Sequence, residues 1–151
     1  MSNEFTFHFT FHITHFTSHT LNLTLHIFMK AGIFTIILLI ISNVFMTAAW
    51  YGNLKLKEMH ISTDWPLILV ILASWGVALI EYFFMIPANN IGSKINGGPF
   101  NLMQLKVIQE AISITVFTVI ATTVFNNEAL QWNHIVAFVL IIGAVFFAFL
   151  K

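Results

Sequence analysis

Three ionisable residues, Glu81, Lys106 and Glu110, stand inside runs of sequence that are otherwise long and apolar. A charge near the middle of a membrane-spanning helix costs about 2.5–3.5 kcal/mol on insertion scales, so such groups persist where they meet partners or carry function. Glu81 precedes Pro87 by six residues. A helix closing at that proline would hold Glu81 roughly 9 Å inside its end. Lys106 falls a few residues into the next apolar run, which starts from the same side, so antiparallel neighbours would bring it to a similar depth. Glu110 follows one turn later on the same helical face. The spacing predicts an ion pair or a triad. In one reading the pair simply pins two helices, with Lys106 reaching back to the headgroups. In the other, two carboxyls and one ammonium leave one acid without a cation. An acid able to take up and release a proton inside the bundle is what a proton-coupled carrier needs.

Uncharged polar residues extend this set. Ser42, Asn43 and Thr47 fall on one side of the first apolar run, and Gln109, Ser113 and Thr118 continue the polar side of the third. Serine and threonine ordinarily bond to their own helix carbonyls. Asn43 and Gln109 are costlier to bury and are expected to reach across helices. The candidate site is therefore Glu81, Lys106, Glu110, Asn43 and Gln109. No nucleophile–base set, HExxH motif or phosphate-cradling glycine loop is present, so neither an enzyme nor a cofactor is expected. His8, His12, His15, His19 and His26 could share a helical face, and imidazole suits zinc or copper. They have no carboxylate or cysteine beside them, and no metal site is expected there.

The elements that position these residues follow from composition. Of 151 residues, 58% are hydrophobic and 8% charged, against roughly 25% charged in soluble domains. A surface so poor in charge must face lipid. The net charge is zero and arginine is absent, which leaves no electrostatic footprint for nucleic acid. Cysteine is absent too, excluding disulfides, thiolate metal sites and cysteine nucleophiles. Crossing about 30 Å of hydrocarbon takes about 20 apolar residues. Runs at about 31–52, 65–86, 101–125 and 132–150 meet that length. The fold class is thus all-α: a polytopic membrane protein, a bundle of four transmembrane helices with the bilayer as its partner.

Asp64 is placed to cap the second helix, and Gly97-Gly98-Pro99 marks a turn before the third. Asn126-Asn127-Glu128 makes a tight link into the fourth. Trp50, Tyr51, Trp65, Tyr82 and Trp132 fall near the expected helix ends, as an aromatic belt requires. Gly76, Ala78, Gly143 and Ala144 would permit close helix contact.

Residues 1–28 differ in kind. FTFHFTFHIT alternates with a period of two and then loses phase. The stretch is a low-complexity run of Phe, Thr and His without the features of a signal peptide, and its threonines do not favour a helix. At Met29-Lys30 the character changes abruptly. The expected division is an N-terminal extension over 1–28, disordered or upstream of the native start, and a membrane domain over 29–151.

Three segments carry a resemblance: SNVFMTAAWYGNLK (Ser42 to Lys55), EYFFMIPANNIG (Glu81 to Gly92) and QLKVIQEAI (Gln104 to Ile112). They resemble signature stretches of a short, uncharacterised four-helix family within the drug/metabolite transporter superfamily, over residues 29–151. NNEALQWNHIVAFVLIIGAVF is similar to the closing helix of many superfamily repeats, with Glu128 as its acid. The resemblance implies a unit akin to half of a ten-helix transporter, or to small multidrug resistance proteins acting as dimers. Those proteins carry an essential glutamate in their first helix, where this chain has none, so their mechanism does not transfer residue by residue.

The expected function is a small secondary transporter of an organic solute, proton-coupled and homodimeric, because four helices enclose little space by themselves. The alternative is a non-transporting assembly partner in the membrane. The expected location is the bacterial cytoplasmic membrane. An N-in and C-in orientation would put Lys30, Lys94 and Lys151 on the cytoplasmic side against Lys55 and Lys57 outside, a margin small enough to leave open a dual orientation giving an antiparallel dimer.

Overall fold

Backbone groups cannot be left unpaired in hydrocarbon, so each apolar run has to close its hydrogen bonds internally as a helix. The structure, a computed structural model, describes residues 20–125 and 131–150. The helices are α1 (Ser2–Glu58, described from Thr20), α2 (Leu67–Gly92), α3 (Leu102–Val124) and α4 (Trp132–Phe149). All four are long and apolar enough to cross a membrane. Among the described residues there is no β-strand.

Three helix ends differ from the expected ones. The first helix does not begin at Ala31: residues 20–30 are already helical, and Lys30 lies within α1. Helix propensity from threonine is a weak prior. At its other end α1 continues past Gly52 to Glu58, with Lys55 and Lys57 in its last turn, where cations complement the helix dipole. His60 then turns the chain with φ 57°, and the Ile61 and Ser62 N–H groups donate back to the Leu56 carbonyl.

The second helix does not stop before Pro87. It carries that proline internally and runs on to Gly92. Proline forfeits one backbone bond, a loss that membrane helices tolerate where neighbouring helices re-satisfy the backbone. The last turns of α2, beyond the proline, pack tightly: Ala88 is fully buried. A Cβ on Gly92 would stand 2.7 Å from Thr35 Cγ2 and 3.0 Å from Leu105 Cδ1. Glu81 is consequently 11 residues from the end of α2, or about 16 Å, near the helix middle rather than near its end. Tyr82 is equally central and does not belong to an interfacial belt. At the other end, Pro66 occupies the cap position without a side-chain capping bond, so Asp64 does not play that part.

Between α2 and α3 the chain makes a 3₁₀ turn over Lys94–Asn96 and folds back on the helix end. Phe100 N–H donates to the Gly92 carbonyl at 2.9 Å, and Lys94 N–H to the Phe100 carbonyl at 2.8 Å. Gly97 has φ 83°. A Cβ on Gly98 would lie 2.2 Å from the Ile91 carbonyl oxygen, so this turn accepts only glycine there. Asn101 and Gln104 then form a reciprocal capping box that starts α3. At the start of α4, Gln131 N–H donates to His134 Nδ1 at 3.1 Å. The expected link at Asn126-Asn127-Glu128 lies outside the described residues.

α1 packs against both α2 and α3, and α4 packs against α3. The seam closes on Leu39, Ala88, Leu105 and Ile108. Phe45 stacks on Phe84 at 5.5 Å, joining α1 to α2, and Tyr51 meets Phe117 at 4.9 Å, joining α1 to α3. The large apolar residues point outward instead: Leu67, Phe83, Trp75 and Leu140 are all exposed. Thr35, Ser42, Asn43, Thr47 and Glu81 are buried. Polar inside and apolar outside is the distribution that lipid imposes. Among the described residues, Gly76 and Gly143 have no atom within 4 Å of an added Cβ, so neither marks a close helix contact there.

Candidate functional site

The buried polar residues of α1 recur at Thr35, Ser42, Asn43 and Thr47, a stripe set by the helical period. That stripe faces the middle of α2, where Glu81 is 1% exposed. Ser42 Oγ donates to Glu81 Oε1 at 2.6 Å, a bond between two helices in the buried interior. The other carboxyl oxygen, Oε2, is buried without a hydrogen-bond partner among the described residues.

Of the expected pair or triad, the pair forms and the triad does not. Lys106 pairs with Glu110 on its own helix, and Glu81 makes no ion pair with a described residue. The longer α2 explains this: it carries Glu81 deeper than a helix ending at Pro87 would. The acid left without a cation is therefore Glu81. Asn43 likewise does not reach across helices. Its Nδ2 donates to the Leu39 carbonyl of its own helix at 2.7 Å, and Thr47 Oγ1 donates to the Asn43 carbonyl at 2.8 Å. Gln109 does cross, with Nε2 3.6 Å from Met85 Sδ on α2.

All these groups nevertheless border one space. A cleft of about 330 Å³ lies between α1, α2 and α3, lined by Asn43, Thr47, Glu81, Lys106, Gln109 and Glu110 among others. Trp50, Tyr51 and Phe117 supply its apolar wall. A second cavity of about 460 Å³ opens toward the α1–α2 loop, and Thr47 and Tyr51 line both spaces. The volumes fall at the lower end of the range for small-molecule sites. A polar cleft this deep offers a carboxyl, two amides and an ion pair to a solute in an otherwise apolar medium.

Ser42 is the residue whose part the sequence concealed. A serine among apolar neighbours usually bonds backward along its helix, as Thr35 does to the Ala31 carbonyl at 2.8 Å. The interhelical partner becomes visible only once Glu81 is placed opposite. Of the N-terminal histidines, His8, His12, His15 and His19 lie outside the described residues. Among the described residues no group of three or more His, Cys, Asp or Glu could hold a metal ion.

Four spanning helices, a buried polar seam and an outward apolar surface define a multi-pass membrane protein. The family described as "Putative member of DMT superfamily (DUF486)" matches residues 35–149, and the chain belongs to that family. No curated protein and no solved structure matches it.

Proposed function

We propose that the protein is a small proton-coupled secondary transporter of an organic solute, with Glu81 as the proton-carrying group. The observation that carries this reading is a carboxyl at 1% exposure, bonded on one oxygen by Ser42 and unpartnered on the other among the described residues. An isolated carboxylate is expensive to hold away from water, and a structural acid would be expected to have both oxygens satisfied. A hydroxyl such as Ser42 serves both forms of the acid, donating to the anion and leaving the second oxygen to carry the proton. The cleft beside it holds a solute against Asn43, Gln109 and the Lys106–Glu110 pair, and the shared wall at Thr47 and Tyr51 offers a route toward the α1–α2 loop. Membership of the drug/metabolite transporter superfamily supports the same reading. The host membrane in this proposal is the bacterial cytoplasmic membrane, with both termini in the cytoplasm.

The test is solute flux into proteoliposomes driven by a proton gradient. Glu81→Gln abolishes the coupled flux, whereas Glu110→Gln, which acts on an acid already paired with Lys106, reduces it less. Undiminished proton-driven flux in Glu81→Gln would remove this residue from the mechanism.

A further inference from the structure

The ion pair between Lys106 and Glu110 has an unusual setting. Their side chains are 65% and 54% exposed, yet they lie four and eight positions beyond the first residue of α3, about 6 and 12 Å along the helix. On a membrane-spanning helix that depth lies within the hydrocarbon, where charged residues turn toward the bundle interior or a watered cavity. A single chain leaves this pair at the open side of the cleft, each side chain more than half exposed. The other outward faces raise no such difficulty: those of α2 and α4 carry Phe83, Trp75, Leu140 and Phe147, which acyl chains cover at no cost.

We propose that the α3 face bearing Lys106 and Glu110 is the contact between two copies of this chain, related by a two-fold axis, and that this contact completes the Glu81 cleft. The patch is self-complementary. A two-fold axis along the membrane normal keeps both copies in one orientation, so Lys106 of one copy reaches diagonally, one helical turn along the face, to Glu110 of the other, and the same contact recurs in reverse. The four charges then neutralise one another away from lipid. The same two residues border the cleft that contains Glu81, so a second copy seated on them supplies its missing wall. Two clefts meet across the axis in one enclosed polar chamber. This inference rests on the exposed pair and on the membrane setting, and it holds whether or not a solute crosses.

The chain has no cysteine, so a single introduced thiol reports its own neighbourhood. Met103 is 73% exposed and precedes Lys106 by three residues on the same helical face. Trp75 is 64% exposed on α2 and serves as the outward control. In native membranes treated with a flexible bis-maleimide, Met103→Cys gives a covalent dimer and Trp75→Cys does not. Absence of the Met103→Cys dimer, or equal yield from both positions, would overturn the proposal. A second experiment separates contact between copies from pairing within one. Chains carrying Lys106→Glu lose self-association, as do chains carrying Glu110→Lys, because each places like charges on both sides of the axis. Co-expressed with different tags, the two substituted chains bind one another and co-purify. Self-association of the Lys106→Glu chain at the level of the unsubstituted protein would refute the charge pairing. Crosslinking reads assembly alone, so its failure is distinct from a failure of proton-coupled flux.

Discussion

Ser42 and Glu81 join α1 to α2 at the buried centre of the bundle, Oγ to Oε1 at 2.6 Å. The bond has two consequences that pull apart. It fixes the position of an acid that has no cation beside it among the described residues, and it leaves the second oxygen of that acid without a partner there. Stability and proton chemistry therefore depend on the same contact but on different atoms.

Ser42→Ala separates them. The substitution removes the donor and leaves both carboxyl oxygens unpartnered in the interior, a loss of about 1–3 kcal/mol. Glu81→Gln keeps an acceptor for Ser42 and costs less, while removing the group that carries a proton. Thermal unfolding in detergent should thus rank Ser42→Ala below Glu81→Gln in stability. The opposite ranking would show that Glu81 contributes to the fold through something other than its bond to Ser42.

The contact between Gly92 and Thr35 predicts a coupled pair. With Thr35 Cγ2 at 2.7 Å and Oγ1 at 3.1 Å from the position of an added Cβ, Gly92→Ala forces α1 and α2 apart and costs about 1–3 kcal/mol. Thr35→Ala removes both obstructing atoms. The double variant should recover much of the loss, giving a positive interaction energy in a double-mutant cycle of unfolding free energies. Additive losses would mean that Leu105, at 3.0 Å, is the atom that cannot yield.

Much of this architecture is legible in the residue order. Length and apolarity place four helices, and their burial follows from lipid outside and polar groups within. Depth is less legible. Pro87 reads as a helix end because its ring breaks the backbone ladder, but the close packing of Ala88 and Gly92 against α1 holds the helix through it, and that packing lies between segments distant in sequence. The error propagates to Glu81 and Tyr82, which both move to mid-helix. The same cause separates Glu81 from Lys106. Asn43 and Ser42 exchange parts for a related reason: adjacent on one helix, they point in directions about 100° apart, and which of them meets α2 depends on the rotation of α1.

His60 terminates α1 in the left-handed region at φ 57°, a conformation that costs a residue with a Cβ about 1 kcal/mol or more. Glycine at this position relieves that strain and is the common helix terminator. His60→Gly should raise the unfolding free energy by about 0.5–1 kcal/mol after the added freedom of the unfolded chain is counted. Chemical denaturation in mixed micelles measures it. A loss of stability would indicate that the His60 side chain itself makes a stabilising contact.

Gln109 tests whether the cleft is a working space or a packing flaw. Among the described residues its amide reaches only a thioether, Met85 Sδ at 3.6 Å, and thioether sulfur is a weak acceptor. Interhelical polar contacts in membranes average about 0.6 kcal/mol even with better partners. Gln109→Leu should therefore change the unfolding free energy by less than about 1 kcal/mol. If Gln109 holds solute in the cleft between α1, α2 and α3, the same substitution lowers solute flux at low concentration and recovers it when solute is raised, because an amide donor and acceptor have been withdrawn from binding rather than from the proton step. Glu81→Gln, by contrast, is not rescued by more solute. A Gln109→Leu protein that transports normally at all concentrations would move the solute away from this cleft and toward the apolar cavity near the α1–α2 loop, which Gln109 does not line.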